Sequence, residues 1–167
     1  MRPLDVVLAA SALVLLLGPR PAPAQFSNHG LAVESGLSSP LGAGAGPGAT
    51  FALTASTWLE GDVAAVARVA RTSAGRTGVR AAASVTTGTL GLRLSLGHAP
   101  VRPQLFVDAG WASVDAGGGS ADRAAFGAGA GLEWFPASDV SVAPRATLRV
   151  IGGEPSLELI LALGGYF

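Results

Sequence analysis

The strongest order in the chain is alternation. From Ser156 the chain reads SLELILALGGYF, with Leu157, Leu159, Leu161, Leu163 and Phe167 on one parity and Ser156, Glu158, Ala162, Gly164 and Tyr166 on the other. Successive strand residues point to opposite faces, so a period of two predicts a strand with one apolar side. Thr89 to Gly97 repeats the split, setting Leu90, Leu92, Leu94 and Leu96 against Gly91, Arg93, Ser95 and Gly97. Between Arg123 and Phe135, the residues Ala124, Phe126, Ala128, Ala130, Leu132 and Trp134 oppose Arg123, Gly127, Gly129, Gly131 and Glu133. Over Val140 to Val150 the apolar set is Val140, Val142, Ala146, Leu148 and Val150, against Ser141, Arg145, Thr147 and Arg149. Fainter alternation over His29 to Leu37, Ala49 to Leu59, Asp62 to Arg71 and Gln104 to Val114 brings the total to eight strands. In the stretch from Arg76 to Gly88, Val79, Ala81, Ala83 and Val85 have the opposite parity to the leucines that follow, which fits a bulge or an extended hairpin.

The second face decides which solvent the strands meet. In a water-soluble barrel or sandwich the apolar face turns inward and charges cover the exterior. Here the non-apolar face is glycine, alanine, serine, threonine and a few charges, which suits a narrow interior better than a wetted surface. The leucine face is therefore expected to look outward into lipid, where an arginine at mid-depth would cost about 2 to 4 kcal/mol and only a closed barrel pairs every backbone group. The predicted fold is all-β: an eight-stranded antiparallel up-and-down transmembrane β-barrel.

Such a barrel is just wide enough for side chains to fill it. The inward parity offers Arg68, Arg93, Arg123, Arg145 and Arg149 against Glu34, Asp108, Glu133 and Glu158 as a lumen charge network. Strand eight neighbours strands seven and one, so Glu158 is expected within reach of Arg145 or Arg149. Nearly balanced charge argues for a plug over an ion path.

The N-terminus reads as an export signal. Arg2 precedes an apolar run from Val6 to Leu17, broken by Gly18 and Pro19 and followed by Ala22-Pro23-Ala24, although Asp5 dilutes the leading charge. The run is too short for a membrane-spanning helix, which needs about 20 residues, and the small residues suit a signal peptidase. Residues 1–24 are assigned to a signal peptide and 25–167 to the barrel domain. From a periplasmic N-terminus, the turns at Glu60 to Asp62, His98 to Pro103 and Pro136 to Asp139 fall on the inner side. The stretches Ser38 to Gly48, Thr72 to Ala82 and Asp115 to Asp122 become longer outer loops, with a tight last one at Gly152 to Pro155. Trp134, Phe135 and Phe167 are then expected in an inner aromatic girdle, and Phe51, Trp111 and Phe126 in an outer one.

Composition removes several function classes. The chain has no cysteine, so a disulfide scaffold, a thiolate metal site and a lipid anchor on cysteine are excluded. Arginines and acids balance, so nothing attracts nucleic acid. The histidines are His29 and His98, both placed at the periplasmic end as solvated turn residues, too few for a metal cluster and far from the outer leaflet. The glycine runs at Gly42 to Gly48 and Gly117 to Gly119 sit in loops and open no helix, so they form no phosphate site. No cofactor is expected.

The alternating strands, the GAGAGLEWF segment at Gly127 to Phe135 and a last strand ending in Phe167 resemble the small eight-stranded outer-membrane β-barrel family across nearly all of residues 25–167. The resemblance implies that Leu159, Leu161, Leu163 and Phe167 form the signal read by the outer-membrane assembly machinery, with Gly165 departing from the hydrophobic residue often found there. The expected protein is a monomer in the bacterial outer membrane, in contact with outer-membrane lipid and, during biogenesis, with the export apparatus. Its expected role is non-enzymatic and structural or surface-interacting. The alternatives are a lipid A deacylase or acyltransferase, which would need a nucleophile and base near the outer leaflet, or a small pore.

Overall fold

The computed structural model describes residues 28–41, 46–74, 83–97, 100–116 and 119–167. The signal segment 1–24, His98 and parts of both glycine runs lie outside them. The strands are β1 (His29–Pro40), β2 (Gly48–Glu60), β3 (Val63–Ala74), β4 (Ala83–Ser95), β5 (Val101–Ala116), β6 (Gly119–Ala137), β7 (Val140–Ile151) and β8 (Glu154–Tyr166). Each pairs antiparallel with its sequence neighbours, and β1 also pairs with β8, so the sheet closes into a barrel with no free first or last strand.

The register fixes the tilt. Passing from partner to partner, His29 leads through Thr57, Ala65, Leu92, Val107, Ala128, Leu148 and Leu157 back to Ser39, ten residues further along β1. A stagger of that size over eight strands inclines them by about 40° to the barrel axis.

The two faces separate by polarity as the alternation requires, and the core is the polar one. Leu90, Leu159 and Leu163 are 69%, 54% and 57% exposed, whereas Arg93, Arg149 and Glu158 are 3%, 1% and 3% exposed. Among the described residues, Ile160 is the one buried hydrophobic side chain larger than alanine. Sequestering leucine normally drives folding in water. A closed barrel that displays its leucines and buries its arginines is built for a hydrocarbon exterior. Along β8 the apolar exterior runs from Leu157 to Phe167. At about 3.3 Å per residue and this tilt it spans about 25 Å, the height of the apolar band on a membrane barrel.

One connection differs from expectation, and another settles an alternative. The stretch Asp115 to Asp122 is not a long loop: β5 and β6 stay paired up to Ala116↔Gly119, leaving 117–118 between them. Small and polar residues there, which favour a loop locally, are carried by the hairpin they extend. In β4 the register runs unbroken against β3 from Ala83 to Leu94 and against β5 from Ala83 to Ser95. Among the described residues, then, the hairpin is extended and β4 carries no bulge, residues 76–82 lying outside them. Val85 therefore shares the inward parity of Thr87, Thr89 and Arg93. At the opposite end the chain reverses at 61–62, 96–100 and 138–139. The β7–β8 reversal uses Gly152 and Gly153 at φ of 58° and 91°, a left-handed pair that a two-residue hairpin needs and that glycine adopts without strain.

Candidate functional site

The lumen owes its shape to β6. Gly127, Gly129 and Gly131 point inward while Ala128 and Ala130 point out, and each glycine leaves room for a bulky neighbour. A Cβ on Gly129 would lie 2.5 Å from the Phe106 ring, one on Gly131 2.8 Å from Arg145 Cγ, and one on Gly127 2.7 Å from Asp108 Oδ1. The GAGAG run is thus a bare wall against which the long side chains of β5 and β7 lie.

Across that wall runs a continuous ladder of charge. Arg145 Nη1 donates to Glu34 Oε1 at 2.9 Å, and Arg68 Nε donates to Glu34 Oε2 at 2.7 Å. Thr54 Oγ1 donates to the same carboxylate at 2.7 Å. Arg68 Nη2 lies 3.4 Å from Glu158 Oε2, whose other oxygen lies 3.2 Å from Arg149 Nε. Arg149 ends the ladder with a bidentate contact to Asp108, at 2.9 and 3.0 Å. Such two-pronged contacts are the strong form of the arginine–carboxylate pair. Six charged residues from five strands are therefore tied together, and removing one would leave a partner uncompensated in the interior, at a cost of about 3 to 5 kcal/mol.

Nearer the chain termini lies a second cluster. Tyr166 donates its hydroxyl proton to Glu133 Oε1 and accepts from Arg93 Nη2 at 3.2 Å. Gln104 Nε2 donates to Glu133 Oε2 and lies 3.4 Å from Ser95 Oγ. The Arg93 guanidinium sits 5.3 Å from the Trp58 ring centroid, and that of Arg102 4.7 Å from the centroid of Phe135.

The structure thus brings Glu34, Arg68, Asp108, Arg145, Arg149 and Glu158 into one ladder and Arg93 and Glu133 into the lower cluster. Glu158 meets Arg149 as expected, and Arg68 as well; Arg145 turns instead to Glu34. Arg123 is a correction. It has the inward parity but is exposed, and its side chain lies beside Gly152 in the β7–β8 turn. The reason is depth: the last β6–β7 pair is Ala125↔Ile151, so β6 at Arg123 has risen above the end of its neighbour. Phe135 is a second correction. Its neighbour Trp134 is 50% exposed on the outside, but Phe135 turns over the lumen mouth and packs on Tyr166 with ring centroids 5.6 Å apart. Adjacent strand residues cannot both join one girdle. Trp58, Gln104, Phe106, Ile160 and Tyr166 went unassigned in the lumen network, although all share the parity of an assigned charge on their own strand or pair with an inward residue.

Leu159, Leu161, Leu163 and Phe167 all face outward, at 49 to 57% exposure. His29 opens β1 beside the C-terminus, its Nδ1 3.0 Å from Thr57 Oγ1 and its ring 6.4 Å from that of Phe167. Among the described residues, no three histidine or acidic side chains converge as a metal site.

No protein-family model matches the chain, and no curated protein matches it by sequence. Solved structures do. Neisserial surface protein A superposes with a TM-score of 0.71 at 15% identity, over 86% of this chain and all of its own. Ail, the attachment invasion locus protein of Yersinia pestis, gives 0.58 at 16% identity, with the same two coverages. The N-terminal β-barrel domain of Pseudomonas aeruginosa OprF gives 0.57 at 15% identity, again over 86% and 100%. Closure, strand number, connectivity and the apolar exterior agree with this likeness, and the chain has the fold of the small eight-stranded outer-membrane β-barrels.

Proposed function

We propose that the protein is a monomeric, non-enzymatic integral protein of the bacterial outer membrane that holds a closed lumen and works as a structural or surface-interacting barrel. The ladder from Arg145 through Glu34, Arg68 and Glu158 to Arg149 and Asp108 carries this reading, because it bars the path an ion would take. A hydrated ion needs a water-lined way through or mobile charges to exchange with, and paired, hydrogen-bonded arginines offer neither. The work of the protein then falls to its exterior and its outward loops. Two of the structural neighbours bear names of that kind, a surface protein and an attachment invasion locus protein.

In this reading the chain termini lie on the periplasmic side, and the strand ends at Pro40, Gly48, Ala74 and Ala83 lie on the outer side. The export apparatus takes the chain across the inner membrane and residues 1–24 are removed. The assembly machinery recognises Leu159, Leu161, Leu163 and Phe167, which the fold leaves exposed on the last strand. Outer-membrane lipid covers the leucine face. The test is single-channel recording on the folded protein in planar lipid bilayers, alongside acyl-chain analysis of lipid A from cells with and without the gene. A silent bilayer and an unchanged acyl pattern are expected. Regular conductance steps would establish a pore, and a lost or added acyl chain an enzyme.

A further inference from the structure

The lumen satisfies its carboxylates more fully than its cations. Glu34 accepts three hydrogen bonds and Asp108 takes both prongs of Arg149. By contrast, Arg68 Nη1 and Nη2, Arg93 Nε, Arg145 Nε, Arg149 Nε and Thr89 Oγ1 are buried with no hydrogen-bond partner among the described residues. Against these stand two such acceptors, Glu158 Oε2 and Gln104 Oε1, and neither residue lines the cavity that Arg68 and Thr89 border. Arg68 Nη2 has only the 3.4 Å approach to Glu158. Arg93 has no carboxylate within ion-pair distance among the described residues; its contacts are the Tyr166 hydroxyl and the Trp58 ring. Each unmet donor in a dry interior costs about 1 to 3 kcal/mol, more when it carries charge, so several gathered in one place call for a shared acceptor.

All but Arg149 Nε are gathered in one place. Arg68, Arg93, Arg145 and Thr89 all line a single cavity of about 30 Å³. Phe106, Val66 and Ile160 complete its walls with carbon. Three guanidinium groups border this space, against Glu34, which two of them share, and Asp108, which Arg149 already holds. The chemistry asks for a guest that accepts from several directions and donates little. Water accepts two bonds but brings two protons of its own that need acceptors, and the two carboxylates that line the cavity, Glu34 and Asp108, are already engaged. A monatomic anion meets that description, because it accepts from every direction and donates nothing.

We propose that the cavity bounded by Arg68, Arg93, Arg145 and Thr89 binds one small monovalent anion of the halide class, chloride under ordinary conditions. The ion is a structural component: it neutralises the locally cationic cavity and accepts the donors that the ladder leaves over. Bound only by the folded form, it stabilises the fold by mass action.

The probe is bromide. Crystals of the detergent-solubilised protein grown with bromide in place of chloride are expected to show an anomalous scattering peak inside the barrel in contact with Arg68 and Thr89, and a tenfold excess of chloride should displace it. Thr89→Val removes one donor and leaves every ion pair intact, so it should fold normally yet lose bromide occupancy. In solution the heat-unfolding midpoint should be higher in chloride than in gluconate at equal ionic strength, with the difference reduced in Thr89→Val. Water density without an anomalous signal, or equal midpoints in the two salts, would overturn the proposal. Neither result depends on whether the barrel conducts.

Discussion

Arg149 grips Asp108 with two N–H donors, at 2.9 and 3.0 Å, and does so across Gly127, which is the register partner of both. The contact skips a strand, reaching from β7 to β5 over the bare backbone of β6. A Cβ at Gly127 would stand 2.7 Å from Asp108 Oδ1, which must shift, and 3.1 Å from Arg149 Nη2, which must give by a few tenths of an ångström. Gly127→Ala should therefore destabilise the barrel by about 1 to 3 kcal/mol, the usual range for overpacking. Gly88→Ala is the matched control, because a Cβ there meets nothing within 4 Å. Urea unfolding of the refolded protein, followed by its gel mobility without boiling, should show a lowered midpoint for the first and an unchanged one for the second.

The same pair predicts a non-additive mutant cycle. Arg149→Met leaves Asp108 buried without its cation and removes one of two arginines near Glu158, so a loss of about 3 to 5 kcal/mol is expected. Asp108→Leu strands the guanidinium in turn, though Glu158 remains beside it. The double variant removes both charges from the upper lumen and should be more stable than the sum of the single losses by about 0.5 to 3 kcal/mol. Strict additivity would mean that the ion pair contributes nothing and that the ladder is held by packing alone.

Much of this site was legible because alternation is a property of the backbone and needs no tertiary knowledge. The parity of Glu158 against Leu157 and Leu159, or of Arg93 against Leu92 and Leu94, assigns each side chain to a face wherever the strand runs unbroken. Depth is another matter. Whether Arg123 lies in the lumen or above it depends on how far β7 rises beside β6, a matter of inter-strand register that alternation does not encode. The same gap hid the partner of Arg145, because Glu34 faces it across the interior and not along a shared strand pair. Phe135 and the 115–122 stretch were misplaced for local reasons. An aromatic next to Trp134 looks like a girdle residue, and glycine, serine and aspartate look like a loop, until the pairing with β5 is known.

The last strand tests the assembly reading. Gly165 faces outward, and a Cβ there would meet nothing closer than the Asp139 carbonyl oxygen at 3.8 Å. Gly165→Leu therefore fits the fold and completes the apolar series of Leu159, Leu161, Leu163 and Phe167. If the assembly machinery reads that series, Gly165→Leu should raise the yield of heat-modifiable barrel in the outer membrane, and Phe167→Ala should lower it several-fold. Refolding of the purified Phe167→Ala protein into detergent should proceed normally. Equal failure in the cell and in detergent would mark Phe167 as a packing residue and not a signal.

The solvent that meets the leucine face can be measured by depth. Leu161 lies near the middle of the exposed series on β8, and Leu157 lies toward its outer limit, below the turn at Gly152 and Gly153. If hydrocarbon surrounds the barrel, Leu161→Arg must bring a guanidinium into the apolar slab, at about 2 to 4 kcal/mol, while Leu157→Arg can reach the headgroups for about 0 to 1 kcal/mol. Water would erase this gradient. An exposed leucine replaced by arginine on a soluble surface changes stability by about 0.5 kcal/mol or less, whatever its height. Urea unfolding of the two variants from lipid vesicles should therefore give a loss at position 161 that is at least twice the loss at 157. Ile160→Arg supplies the inward comparison: its neighbours in the lumen include Arg68 and Arg145, so it should fail by charge repulsion and overpacking in vesicles and detergent alike. Equal small losses at 157 and 161 would place water against the leucines and remove the physical basis for a membrane-spanning barrel.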